Sequence, residues 1–170
     1  MKIYGVTGWK NCGKTGLMEG LVAEVTSRGY RVSTVKHAHH SFDVDQSGRD
    51  SYRHREAGAQ EVLLISGSRW ALMHELRGAE EPPLAEMLTK LSDVDLVLVE
   101  GYKREPHPKI ETHRAAAGQP LIATADQTIR ALASDQPAEA HGDLGRPIFD
   151  LNDHDAIATF ILQDLGLMPT

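Results

Sequence analysis

An α/β domain with a mostly parallel sheet, helices on its flanks and a protruding β-hairpin is what this sequence predicts, on three observations. Residues 2–20 read as a short apolar strand, a glycine-bounded loop and the start of a helix. A second strand at residues 31–36 follows that helix, which makes a β-α-β unit and implies parallel pairing. Two apolar segments on either side of Gly67-Ser68 carry the signal of a hairpin.

The first stretch is the most informative. Gly8-Trp9-Lys10-Asn11-Cys12-Gly13-Lys14-Thr15 satisfies G-x-x-x-x-G-K-[ST] at every fixed position. Wrapping a polyphosphate needs several backbone N–H groups at once, and glycines at both ends of a loop allow the turns that aim them. The nucleotide-binding candidates are Gly8, Asn11, Cys12, Gly13, Lys14, Thr15 and Gly16. Lys14 is expected on the β- and γ-phosphates, and the Thr15 hydroxyl on Mg²⁺. The first turn of the helix adds its positive dipole end. Ile3, Tyr4 and Val6 form the strand before the loop; Leu17, Met18, Leu21, Val22 and Val25 give the helix after it, and Gly29 stops that helix. The fold class is therefore a Rossmann-like P-loop NTPase. Cys12 is the single cysteine, and a small side chain turned away from the phosphates explains it better than a redox role.

Composition sets limits. The 170 residues, 41% of them hydrophobic, suit one nucleotide-binding domain over residues 1–170. A formal charge of −6 without a Lys/Arg run argues against a nucleic-acid surface. No apolar stretch approaches a membrane span and no secretory leader is evident, so a cytoplasmic protein with no membrane association is expected.

Residues 37–51, after the second strand, are polar and aperiodic. In a parallel sheet ligands sit beyond the carboxyl ends of the strands, so Lys36, His37 and the residues after them are expected to face the nucleotide. Asp43 and Asp45 are candidates to hold Mg²⁺ or orient a water, and ordinary turn carboxylates are the alternative. His37, His39 and His40 suit phosphate or substrate contact better than a transition metal, for which no partner spacing exists elsewhere. Residues 51–58 read as a short helix capped by Asp50 or Ser51. The hairpin over residues 61–76 is apolar enough to suggest pairing with a second subunit.

Pro82-Pro83 opens a helix through about Leu91. Leu96 to Val99 then form the most continuously apolar strand, as befits a central one, and Glu100 ends it beside the phosphate loop. Glu100 and Asp45 are thus the candidate catalytic carboxylates, with Thr15, Asp43, Asp45 and Glu100 as the metal set. Lys103 or Arg104 lies at the same edge, as a phosphate contact or a solvated cation. Strands are expected at 109–114, 129–135 and 147–151, with a closing helix capped by Asn152. Ser134 and Asp135 end a late strand, where an aspartate can accept from guanine N1–H and N2–H₂; the usual N/T-K-x-D is absent.

Taken together, Gly8–Thr15, Lys36-His37-Ala38-His39-His40, Asp43-Val44-Asp45, Arg69-Trp70-Ala71-Leu72-Met73, Leu98-Val99-Glu100-Gly101-Tyr102-Lys103 and Ala133-Ser134-Asp135 resemble the MobB family of molybdopterin-guanine dinucleotide biosynthesis adaptor proteins. The likeness covers nearly the whole chain in order. It implies a homodimeric, Mg²⁺- and GTP-binding protein with at most weak GTPase activity. Its implied partners are a guanine nucleotide, the guanylyltransferase that adds GMP to molybdopterin, and the molybdopterin cofactor itself. It also implies that Ser134 and Asp135 lie near the base. Two departures stand out. Gly16 occupies a position where many phosphate loops carry a second hydroxyl for the α-phosphate, so a lower nucleotide affinity is expected. Lys10 is one place later than the signature lysine of deviant loops in related dimeric NTPases, so it is not assigned to a partner's nucleotide. The rival readings are a small-molecule kinase, which would need an arginine-rich lid, and a metal-delivery GTPase using the histidines.

Overall fold

The computed structural model describes residues 1–38 and 42–169. They fall into two compact units, residues 1–37 with 91–169 and residue 38 with 42–90.

The first unit is built on a six-stranded sheet, and every neighbouring pair in it is parallel. Its strands are β1 (Lys2–Thr7), β2 (Val32–Lys36), β5 (Leu96–Glu100), β6 (Lys109–His113), β7 (Ile129–Ser134) and β8 (Ile148–Asp150). The spatial order is β2-β5-β1-β6-β7-β8. The β-α-β unit expected from the sequence exists, but its two strands are not neighbours, because β5 lies between them. Leu96, Val97, Leu98 and Val99 of β5 are all fully buried, and a strand apolar on both faces is stable only inside the sheet. From β1 the chain crosses one way to β2 and later the other way to β6. The carboxyl end of β1 is therefore a topological switch point, where such sheets bind ligands.

Helices α1 (Lys14–Ser27) and α4 (His154–Asp164) pack together on the sheet. Leu17, Leu21 and Val25 of α1 join Ile157, Ile161 and Leu162 of α4 in one core with Tyr4, Val6, Leu98 and Ile110. Leu17 and Leu21 repeat at four residues, as an amphipathic helix requires. The cap of α4 is Asp153, whose side chain accepts from Ala156 N–H, and not the expected Asn152. Asn152 instead donates its own N–H to Asp150 Oδ1, which holds it in the turn before the cap.

The second unit contains α2 (Asp50–Glu56), the antiparallel hairpin β3 (Glu61–Ile65) and β4 (Trp70–His74), and α3 (Leu84–Leu88). The expected helix through Leu91 is thus a shorter one. The N-cap of α2 is Arg49, without a side-chain cap; Ser51 is buried in the first turn and donates its hydroxyl to Asp45. Among the described residues no helix is long and apolar enough to cross a membrane.

A glycine in the middle of β1 has a steric cause. A Cβ at Gly5 would lie 2.7 Å from His107 Nε2 and 2.8 Å from Lys109 Cγ. His107 Nε2 is buried and has no hydrogen-bond partner among the described residues. Burial first, then the Lys109 charge, push this imidazole down from 6.5 to about 4, so it folds neutral. Because the unfolded chain binds the proton more readily, His107 supports the fold fully above about pH 6.5 and loses that support as the pH falls toward 4. Denaturant unfolding at a series of pH values is expected to show this decline, and to show it reduced in His107→Asn.

Candidate functional site

Residues 8–13 connect β1 to α1 and turn through three positive-φ positions, Gly8 (144°), Asn11 (65°) and Gly13 (92°). Gly8 can only be glycine here, since a Cβ would sit 2.5 Å from Thr112 Oγ1 and 2.6 Å from the Thr112 carbonyl oxygen. Gly13 is the N-cap of α1 and makes no side-chain cap, and the first turn has no acidic residue. The helix therefore presents its free N–H groups and positive dipole end to whatever occupies the loop. Cys12 is 1% exposed and has no part in the open surface, as expected for a packing residue.

Lys14 Nζ donates to the Gly8 carbonyl at 3.2 Å and to that of Trp9 at 2.8 Å, so it bridges the loop that it belongs to. Burial lowers its pKa, and the Glu100 carboxylate opposes that effect. Trp9 anchors the loop from outside: its indole N–H donates to the Pro120 carbonyl at 2.7 Å, and Lys103 Nζ lies 4.1 Å above its ring. Lys103 is thus already at the loop's flank.

A cavity of about 460 Å³ opens at this loop. It is lined by Asn11, Gly13, Lys14, Thr15 and Gly16 of the loop and the start of α1, by Glu100, and by Lys10 and Arg114. This volume falls in the range of small-molecule sites. Glu100 ends β5, in register with Val6 of β1 and Lys36 of β2, and pairs with Lys36 Nζ at 3.3 Å. Lys36 thus acts on Glu100 and does not line the cavity. The His37 ring lies 4.9 Å from that of Tyr102.

At the end of β7 the two base-side candidates are engaged within their own turn. Ser134 is 1% exposed; its hydroxyl takes the Gln136 N–H at 3.0 Å and lies within hydrogen-bond distance of His113 Nδ1 and His141 Nε2. Asp135 Oδ1 accepts from Ala115 N–H at 2.9 Å, which ties the turn after β6 to the end of β7.

Asp43 and Asp45 belong to the second unit. Asp43 receives Arg55 Nη1 at 3.0 Å and Nη2 at 2.7 Å, and this bidentate guanidinium holds its carboxyl below the usual range. Asp45 Oδ1 accepts from Ser51 Oγ and from Gln46 N–H, both at 2.9 Å. Among the described residues no group of three or more His, Cys, Asp or Glu is arranged to hold a metal ion. His39 and His40 lie outside the described residues.

Two residues of this region carry no local motif. Glu111, 1% exposed on β6, accepts from Ile122 N–H at 2.9 Å and Ala123 N–H at 2.7 Å, and burial raises its pKa. It secures the segment that receives the Trp9 indole. Arg114 closes β6 beside the loop; the signal for it in the sequence is only a cation ending a strand at the ligand-bearing edge.

Comparison with known proteins gives one consistent result. Residues 3–135 match the model of the family described as MobB, molybdopterin guanine dinucleotide synthesis protein B. The molybdopterin-guanine dinucleotide biosynthesis adapter protein of Haemophilus influenzae is 41% identical over 162 residues, covering 94% of this chain and 86% of that protein. The adapter protein of Escherichia coli is 39% identical over 164 residues, covering 95% and 91%. A MobB homologue from Bacillus stearothermophilus superposes with a TM-score of 0.71 at 29% identity, covering 99% of this chain and 100% of that one. Bacillus subtilis MobB, at 23% identity and a TM-score of 0.75, supports the fold.

Proposed function

The chain belongs to the MobB family of molybdopterin guanine dinucleotide biosynthesis, and we propose that it acts there as a GTP-binding adapter for the guanylyltransferase that joins GMP to molybdopterin. The observation that supports this most directly is the cavity at residues 10–16, which is lined by the uncapped start of α1, by Lys14 and Thr15, and by Glu100. Mg²⁺ fits the same cavity, because Thr15 and Glu100 offer the oxygen donors that a hard divalent cation takes. When bound it would neutralise charge on the β- and γ-phosphates.

Binding is the larger part of the role. Lys14 exchanges the Gly8 and Trp9 carbonyls for phosphate oxygens, and the loop amides converge on the same anion. No arginine finger or positioned glutamine is evident in the sequence, so slow turnover is expected. Asp135 keeps one carboxylate oxygen beyond its bond to Ala115, which is the basis for a guanine preference.

A homodimer completes the reading. On one face of the hairpin the cross-strand pairs Leu63–Leu72 and Ile65–Trp70 leave Leu63, Ile65 and Trp70 60%, 78% and 64% exposed, an apolar surface suited to a second copy.

The test is reconstitution. With purified guanylyltransferase, molybdopterin and Mg·GTP, adding this protein is expected to raise the yield of dinucleotide, and Mg·GTP is expected to raise its melting temperature more than Mg·ATP. Equal shifts with both nucleotides would remove the guanine preference, and an unchanged yield would remove the adapter role.

A further inference from the structure

We propose that Arg114 is a nucleotide-binding residue whose guanidinium takes the α-phosphate, supplying in space the contact that Gly16 cannot make. The inference rests on residues 8–15 being a nucleotide cradle, and it adds a second cation on the opposite side of that cradle from Glu100.

The starting point is Gly16. Nothing lies within 4 Å of where its Cβ would be, and its φ is not positive, so neither crowding nor backbone geometry demands a glycine there. In a phosphate loop this residue faces the α-phosphate from the first turn of the helix. Here it has no side chain with which to donate.

Arg114 lines the same cavity as Gly13 and Gly16. Its Nε and Nη2 lie 3.0 and 3.5 Å from where a Cβ on Gly13 would be, so the guanidinium lies alongside the loop. Among the described residues it has no hydrogen-bond or ion-pair partner, although it carries five donors in a planar fork suited to phosphate oxygens. Its backbone is nevertheless fixed. The Arg114 carbonyl accepts from Ala117 N–H at 3.0 Å, and the next residue, Ala115, is held by the Asp135 carboxylate. Asp135 is therefore a positioning residue for Arg114 as well as a candidate for the base.

Strand order decides which phosphate is meant. Glu100 ends β5 and Arg114 follows β6, and these are the two neighbours of β1 on opposite sides. Glu100 marks the metal and γ-phosphate side, so Arg114 stands on the side of the α-phosphate. Such a contact serves nucleoside di- and triphosphates alike and is indifferent to the base.

The experiment is calorimetric titration of the full chain with Mg·GTP, Mg·GDP and Mg·ATP, comparing wild type, Arg114→Ala and Arg114→Lys. Arg114→Ala is expected to weaken GTP and GDP by a similar factor, about 10- to 100-fold, with the GTP:ATP ratio unchanged. Arg114→Lys is expected to recover part of the loss, as a point charge without the fork. A loss confined to the triphosphates GTP and ATP would put the guanidinium on the γ-phosphate, and a changed GTP:ATP ratio would put it on the base; either overturns the proposal. Wild-type binding with an unaltered Arg114→Ala variant overturns this proposal alone, whereas no binding by wild type overturns the cradle itself and the proposal with it.

Discussion

Gly8→Ala is expected to lower stability by roughly 3–5 kcal/mol and to abolish nucleotide binding in whatever remains folded. Two costs add. A non-glycine residue at φ 144° is strained by itself, on the order of 1–3 kcal/mol. The new methyl then lands 2.5 Å from Thr112 Oγ1 and 2.6 Å from a backbone carbonyl oxygen. Thr112 is fully buried in β6 and donates its hydroxyl to the Thr7 carbonyl at 3.1 Å, so β1 and β6 would have to part where the loop begins. Urea unfolding should show a much lower midpoint. Gly16→Ala is the control: with open space around it and a helical position, it is expected to leave the midpoint unchanged or raised by up to about 1 kcal/mol.

Lys14→Ala is expected to act the other way round, leaving the fold and removing the ligand. Without Nζ the Gly8 and Trp9 carbonyls lose a donor, but the cavity beside them is open and water can replace it, so the urea midpoint should stay near wild type. Affinity for Mg·GTP should fall by at least about a hundredfold, the size of losing charge-assisted bonds to phosphate. The partly buried ammonium, its pKa already lowered by desolvation, gains most when an anion arrives.

The legible features of this chain are the local ones. The loop at Gly8–Thr15 is specified by residues a few positions apart, and Glu100 follows from an apolar run that only an inner strand tolerates. The hairpin around Gly67-Ser68 is equally plain. The order of the sheet is not, because nothing in residues 1–36 says that β5 will enter between β1 and β2. For the same reason Glu111 and Arg114 carry no local motif: each acquires its place when β6 pairs with β1, a contact of about a hundred residues in sequence. Ser134 and Asp135 stand at a strand end, as their sequence suggests, but their bonds to His113, His141 and Ala115 depend on loops that come from separate parts of the chain. Asp43 and Asp45 read as Mg²⁺ ligands or turn carboxylates, and the guanidinium that holds Asp43 comes from twelve residues further on. The cap of α4 falls one position late, at Asp153 and not Asn152, because the Asn152 N–H is held in the turn by Asp150 while the Asp153 carboxylate accepts from Ala156 N–H.

The central claim is that the loop after β1 closes on a polyphosphate through its amides and Lys14. Titrating Mg·GTP into the wild-type protein and into Lys14→Ala, side by side and at the same ionic strength, tests it most directly. One saturable site per chain in the wild type, and its loss in the variant with the unfolding midpoint retained, is the expected result. No binding by the wild type, or binding by Lys14→Ala within about threefold of it, would contradict the claim.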